Sequence, residues 1–370
     1  TGRRCLKMGI LERIKDIEEE VARTQKNKAT EYHLGRLKAQ LAKLKTQVLE
    51  GQKKTGGAGE GFEVQRYGDS RIALIGFPSV GKSSLLTALT GTKSEAAAYE
   101  FTTLTCIPGV IHYKDAKIQM LDLPGIIEGA AAGRGRGRQV IAVAKSADCV
   151  VIVLDATKDD SQKEKLEAEL EAVGIRLNRR PPDIYFKPKK GGGLNFNSIV
   201  PLTKVDQKAV QTVLHEYKIF NVDVVFREDA SIDDFIDVIE GNRKYVKCLY
   251  VYNKVDLLSI KQVDEIARRP NSVVVSCHGD LNLETLKERL WEYLGMVRVY
   301  TKKKGEFPDF SEPIILTEQR GEMTIGNAVR MIHRDLLKDF KYGLVWGKSA
   351  KHNPQRVGTG HNLEDEDVLQ

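Results

Sequence analysis

Residues 76–83 read Gly-Phe-Pro-Ser-Val-Gly-Lys-Ser. This combination can hold a chain of phosphates. Gly76 and Gly81 let the backbone curl through Phe77, Pro78, Ser79 and Val80 until successive N–H groups face one phosphate. Lys82 would reach the β- and γ-phosphates, and the Ser83 hydroxyl would ligate Mg²⁺, which prefers hard oxygens and keeps several waters. Ser84 opens a run to Leu89 with helical spacing, so the phosphates would meet a helix N-terminus. Ile72–Ile75, just upstream, is a short apolar run of the kind found in buried parallel strands.

A second group lies far along the chain. Cys248–Tyr252 leads into Asn253-Lys254-Val255-Asp256. The Asp256 carboxylate can accept from guanine N1–H and its 2-amino group, neither of which adenine offers. Two such bonds at ~1.5–3 kcal/mol each give roughly 10²–10⁴-fold preference. Asn253 would face the base edge, and the Lys254 stem would cover the ring. Val273–His278 reads as a further strand, and the backbone N–H groups of Ser276, Cys277 and His278 are placed to meet guanine O6. Thr203-Lys204-Val205-Asp206 imitates the motif, but Pro201 suits a central strand poorly, and 253–256 is preferred.

Between the two groups, Ile118–Leu121 ends in Asp122-Leu123-Pro124-Gly125. Asp122 can hold a water of the Mg²⁺ shell, and Gly125 can offer its N–H to the γ-phosphate. Phe101-Thr102-Thr103-Leu104-Thr105 is a candidate switch loop, with Thr103 as the second Mg²⁺ ligand and Thr102 its rival. Ile126 follows Gly125 where many signalling GTPases place a water-orienting glutamine, so unaided hydrolysis is expected to be slow. No catalytic base is assigned. Arg134, Arg136 and Arg138 alternate with glycines; they suit phosphate, RNA or plain solvation equally.

The bulk properties narrow the field. At 370 residues with 41% hydrophobic content the chain can bury several cores. No run approaches the roughly 20 apolar residues that span a bilayer. No signal peptide is visible, so the expected address is cytoplasmic, with no membrane partner. The five cysteines lack paired spacing, which argues against a disulfide framework or a zinc site. The net charge is +7, and residues 21–54 hold nine Lys or Arg against two Glu, an excess of the same size. Such a segment suits an acidic surface such as RNA or a ribosome.

Periodicity sets the expected organisation. Residues 1–8 read as an extension. Residues 9–50 carry two helical stripes separated near Thr30, which can cap the second: a helical hairpin with a basic outer face. Residues 51–61 are a Gly-rich linker. The fold class expected is α/β: a P-loop domain in two parts, 62–173 and 244–295, interrupted by an α/β insertion at 174–243. Val150–Asp155 belongs to its core sheet. Residues 296–370 form a compact β-rich module with a helix over Thr324–Phe340, whose buried face is Ile325, Ala328, Val329, Ile332 and Leu336.

The chain resembles the developmentally regulated GTP-binding proteins, within the Obg-like GTPases. The resemblance rests on residues 22–30 (Ala-Arg-Thr-Gln-Lys-Asn-Lys-Ala-Thr), 76–83, 99–104 (Tyr-Glu-Phe-Thr-Thr-Leu), 122–127 (Asp-Leu-Pro-Gly-Ile-Ile), 133–139 and 253–256, and spans 9–370. The tail from Arg298-Val299-Tyr300-Thr301 resembles that family's TGS domain, a ubiquitin-like β-grasp. The resemblance implies an N-terminal helix-turn-helix, a GTP/GDP site, Mg²⁺, work with translating ribosomes and RNA, and a stabilising partner of the DRG-regulatory type. Some members are stimulated by K⁺; potassium-activated relatives usually carry Asn where this chain has Ser79, and K⁺ stays open. The family completes a last strand near Asp367–Gln370, where this chain is expected to be shortened or divergent.

Three readings compete: a GTPase switch, a nucleotide-binding scaffold with little hydrolysis, and an ATP-dependent P-loop enzyme. Asp256→Asn separates the last from the others. The variant should lose GTP affinity and gain xanthosine triphosphate by competition binding, whereas an unchanged preference would remove guanine from the account.

Overall fold

The structure, a computed structural model, describes residues 2–25, 27, 30–50, 66–90, 107–123 and 143–370. The linker, the candidate switch residues Phe101, Thr102 and Thr103, Gly125, Ile126 and the Arg134–Arg138 repeat lie outside the described residues.

In chain order the described elements begin with helices α1 (Gly2–Arg23) and α2 (Glu31–Glu50). Strand β1 (Ser70–Ile75), helix α3 (Lys82–Thr90) and strands β2 (Ile107–Tyr113), β3 (Ala116–Asp122) and β4 (Cys149–Asp155) follow. Then come α4 (Ser161–Ala172), β5 (Ile175–Leu177), β6 (Ile184–Pro188), β7 (Leu194–Ser198), α5 (Gln207–Glu216), β8 (Val222–Phe226) and α6 (Ile232–Glu240). The chain continues through β9 (Lys244–Asn253), α7 (Ile260–Ala267), β10 (Ser272–Val274) and α8 (Leu283–Leu294). It closes with β11 (Val297–Thr301), β12 (Asp309–Leu316), α9 (Ile325–Ile332), β13 (Gly343–Trp346), β14 (Gln355–Val357) and β15 (Asp367–Leu369).

These elements fall into two compact units. One takes its described residues from Thr1–Gly61 and Glu167–Tyr245, the other from Phe62–Ile126, Ala142–Leu166 and Val246–Gln370.

The second unit holds the principal sheet, ordered β10-β9-β4-β1-β3-β2. Along that order neighbours run parallel except β2, which pairs antiparallel with β3, and β5 pairs β9 off this path. β1 and β4 are buried along their whole length, which is why Ile72–Ile75 and Cys149–Leu154 are unbroken apolar runs rather than alternating ones, while the buried Ser70 and Arg71 bond to Asp148 and Gln119. The order by chain reverses at β1: later strands lie to either side of it. That reversal opens a crevice at the carboxyl ends of the strands, where α/β sheets bind ligands. The β10 strand is shorter than the expected 273–278. After Val274 the chain turns, Ser276 bridges Leu281, and the Asn282 side chain donates to the Val274 carbonyl at 2.8 Å.

The tail of this unit is a second sheet in the order β12-β11-β15-β13-β14, with β11 and β15 parallel at its centre. This is a β-grasp. The terminal strand expected to be shortened is present and lies between β11 and β13. The expected helix over 324–340 is broken. α9 ends at Ile332, His333 is extended (φ −160°, ψ 133°), and a 3₁₀ turn spans Arg334–Leu337. Ile325, Ala328 and Val329 enter the module's core, but Ile332 and Leu336 are left half exposed. The break turns their stripe away from the sheet. Met296 and Ile315 join the core under the principal sheet. Arg320 donates to the Gly68 carbonyl (2.5 Å) and pairs with Asp69 (3.2 Å), tying the module to the start of β1.

In the first unit, the sheet β6-β8-β7 and helices α5 and α6 enclose a core that includes Phe226 and Phe235. The surplus between the two parts of the P-loop domain is therefore a folded insertion. Ala39 and Ala42 of α2 pack into the same core. The expected Thr30 side-chain cap is replaced: its carbonyl accepts the Leu34 N–H, but its hydroxyl turns back to the Gln25 carbonyl at 2.5 Å. The basic outer face also needs correction. Lys38 pairs with Asp233 (2.5 Å), Lys43 donates to the Glu216 carbonyl (3.1 Å), and Lys45 pairs with Glu18 (2.8 Å). Lys38 and Lys43 are held because α2 packs on the insertion, and Lys45 because α2 packs on α1.

Asp237 of α6 is buried between Arg176 (2.6 Å) and Arg243 (3.0 Å). Removing it strands two largely desolvated guanidinium groups. Asp237→Ala should therefore destabilise this unit by about 3–5 kcal/mol, read as an earlier urea transition and faster amide exchange in 175–240.

Candidate nucleotide site

The P-loop grows from the end of β1. Gly76 leaves the strand against β4, and a Cβ there would lie 2.5 Å from the Val153 carbonyl oxygen. Ser79 and Gly81 both adopt positive φ, 64° and 94°. At Gly81 a methyl group would also collide with the Asn253 amide. The loop thus needs glycine there on two counts, conformation and space. Lys82 opens α3 and folds back, donating to the Gly76 (2.9 Å) and Phe77 (3.0 Å) carbonyls. Burial pushes its ammonium below the ordinary lysine value, with Asp122 opposing the shift.

Asp122 ends β3 beside this loop. The Ser83 hydroxyl donates to its Oδ2 at 2.9 Å. Its Oδ1 is buried and has no hydrogen-bond partner among the described residues. A buried carboxylate oxygen without a donor is costly, and this one fits a group that arrives with the nucleotide. Two hard oxygen sites beside a phosphate loop suit Mg²⁺ and its waters.

The base-side motif comes from the end of β9, in register with the end of β4: Asp155 stands opposite Asn253. The Asn253 Nδ2 donates to the Val80 carbonyl at 3.0 Å. Its Oδ1 accepts the Lys254 N–H at 2.8 Å and the Cys277 N–H at 3.2 Å. One carboxamide therefore joins the P-loop, its own motif and the loop after β10. Asn253 is buried and works as a bracket, a role beside the one expected at the base edge, since its Nδ2 carries a second N–H. Lys254 sits at φ 69°, donates to the Ser79 carbonyl (2.9 Å), and pairs with Asp155 (2.7 Å). Asp256 is exposed at the mouth of the site and accepts the Ser276 hydroxyl at 2.5 Å. Cys277 is half buried, with its thiol pushed up by burial, and His278 is exposed.

The structure thus gathers Gly76 to Ser84, Asp122, Asn253, Lys254, Asp256 and Ser276 to His278 around one crevice. Phe101, Thr102, Thr103 and Gly125 fall outside the described residues. Asp155 is the residue that sequence reading missed: it closes an apolar strand and reads as a strand end, although a carboxylate at the carboxyl edge of a parallel sheet was itself a signal. The competing 203–206 motif is explained structurally. Asp206 caps α5 by accepting the Ala209 N–H at 2.7 Å, and Thr203 is held by Asp229.

A P-loop on this strand order, facing an Asn-Lys-x-Asp motif and followed by a β-grasp, defines a GTP-binding protein with a GTPase domain. Residues 71–187 match the family described as a 50S ribosome-binding GTPase, 191–296 match that domain's C-terminal region, and 297–370 match the TGS domain. The chain is 64% identical to developmentally-regulated G-protein 2 of Arabidopsis thaliana over 98% of its length and 91% of that protein's. It is 64% and 63% identical to developmentally-regulated GTP-binding protein 2 of Mus musculus and Homo sapiens, over 98% of this chain and 99% of each relative. The chain belongs to the family of developmentally regulated GTP-binding proteins.

Because Asn253 carries three hydrogen bonds at about 1 kcal/mol each, Asn253→Ala should lower stability by about 2–3 kcal/mol even without nucleotide. Urea titration of the nucleotide-stripped protein checks this.

Proposed function

We propose that this protein hydrolyses GTP to GDP and phosphate as a molecular switch in the cytoplasm, working on ribosomes or their RNA and stabilised by a DRG-regulatory-type partner protein. The observation that carries hydrolysis is the Asp122 carboxylate: one oxygen on Ser83, the other buried without a partner among the described residues, beside the phosphate-binding Lys82. Ser83 and Thr103 would hold Mg²⁺, with Asp122 steadying its waters. Held there, Mg²⁺ would supply positive charge against the negative charge that develops on the phosphates.

The chain's own residues supply the rest. The P-loop N–H groups and Lys82 bind and orient the phosphates, Asp256 selects the guanine edge, and the N–H groups of Ser276, Cys277 and His278 meet the guanine oxygen. Ile126 offers no hydrogen bond to an attacking water, which supports slow turnover alone and acceleration by something brought to the site; supplied positive charge can be worth about 10³–10⁵ in rate. The ribosome reading is supported by the net charge of +7 and by the description of the family matched at 71–187. Among the described residues no helix is long and apolar enough to cross a membrane.

Timed phosphate release, with and without Mg²⁺ and ribosomes, tests the proposal. Release should require Mg²⁺, rise with ribosomes, and vanish in Lys82→Ala. Release no greater than that control under every condition would leave a nucleotide-binding scaffold instead. Ribosome co-sedimentation should fall as salt rises; insensitivity to salt would remove the electrostatic contact.

A further inference from the structure

Asp155 lies outside the phosphate and guanine motifs, yet its carboxylate is built into the site. It is 6% exposed at the end of β4. Oδ1 accepts both the N–H (3.0 Å) and the hydroxyl (2.6 Å) of Thr157, which fixes the plane of the carboxylate. Oδ2 is thereby aimed at Lys254 Nζ, 2.7 Å away. The register that sets Asp155 opposite Asn253 is locked by the Ala156 N–H on the Asn253 carbonyl at 2.9 Å. Burial alone would raise the Asp155 carboxyl, but the bonds from Lys254 and Thr157 outweigh it and hold the group ionised, below the usual carboxylate range.

Lys254 requires such a partner. Its backbone is left-handed at φ 69°, which a non-glycine residue adopts only at a cost. Its long side chain would otherwise sample many rotamers. Here Nζ is held between the Asp155 carboxylate and the Ser79 carbonyl, and Ser79 is itself left-handed at φ 64°. Two strained residues, one on the phosphate loop and one in the base motif, are therefore bridged by a single ammonium group whose charge is matched by Asp155.

We propose that Asp155 is a positioning residue for bound nucleotide: acting through Lys254, it holds the lysine stem against the purine face and clamps the phosphate loop to the base motif, and so sets how long guanine nucleotide stays bound. The inference rests on the nucleotide reading of this crevice. Both Asp155 oxygens are taken by Thr157 and Lys254, so its loss should change residence time and leave the choice of base to Asp256.

The test is stopped-flow release of a fluorescent GDP analogue from the full chain, comparing wild type with Asp155→Asn, Lys254→Met and the double variant. Release should quicken about tenfold or more in each single variant, the range expected of one charge-assisted hydrogen bond. The double variant should release no faster than Lys254→Met alone, because the carboxylate acts only through the lysine. Competition with ATP should show guanine preference retained in Asp155→Asn. Thr157→Val, which keeps the charge and removes only the hydroxyl that orients it, should quicken release by a smaller factor, and it decides the matter if Asp155→Asn does not fold. Unchanged release in the folded variants, or effects of Asp155→Asn and Lys254→Met that multiply in the double variant, would overturn the proposal. Loss of guanine preference in the wild type would instead overturn the nucleotide reading itself.

Discussion

One carboxamide holds the crevice together. Asn253 donates to the Val80 carbonyl of the phosphate loop and accepts from the N–H groups of Lys254 and Cys277. Three segments far apart in sequence meet on this side chain, and each would otherwise carry an unpaired backbone group in a buried place. The constraint also explains Gly81. Only a residue without Cβ leaves room for the Asn253 amide, and only glycine takes φ 94° cheaply. The phosphate loop and the base motif are thus mutually dependent in the protein itself, before any nucleotide joins them.

Charge is handled differently at the site and in the insertion. At the site, Lys82 rests on backbone carbonyls, and Asp122 keeps an oxygen unpaired among the described residues. These groups have capacity left for a polyanion and its cation. In the insertion, Asp237 is enclosed by Arg176 and Arg243, and the lysines of α2 are taken up by acceptors of the same unit. Buried pairs of that kind contribute little net stability but are expensive to break. They fix the packing of α2 and α6 and leave no obvious vacancy for chemistry.

The β-grasp module is attached to the P-loop domain at the start of β1, through Arg320 on Gly68 and Asp69, with Met296 and Ile315 in the shared core. The nucleotide crevice lies at the opposite, carboxyl ends of the same strands. β1 is buried throughout its length and connects the two places. Two of the module's half-exposed apolar side chains, Ile332 and Leu336, sit where α9 gives way to a 3₁₀ turn.

The apolar runs Ile72–Ile75 and Val150–Leu154 announced strands of the core sheet, because a strand covered on both faces is apolar at consecutive positions. The loop 76–83 and the motif 253–256 announced their ligands, because phosphate and guanine each demand particular groups at fixed spacing. Spacing could not reveal what depends on neighbours in space. Asp155 looked like the polar end of a strand until β9 brought Lys254 against it. Thr203–Asp206 matched the base motif by type and became a helix cap through its surroundings. Ile332 and Leu336 fell on a helical stripe, but His333 left the helix before they could be buried. Lys38, Lys43 and Lys45 read as a solvent face until the insertion supplied Asp233 and the Glu216 carbonyl, and α1 supplied Glu18. Local types and periods were sufficient for the strands and the ligand class; pairings between distant residues were decided by the tertiary structure, since a side chain's partner is set by which surfaces pack together and not by its position along the chain.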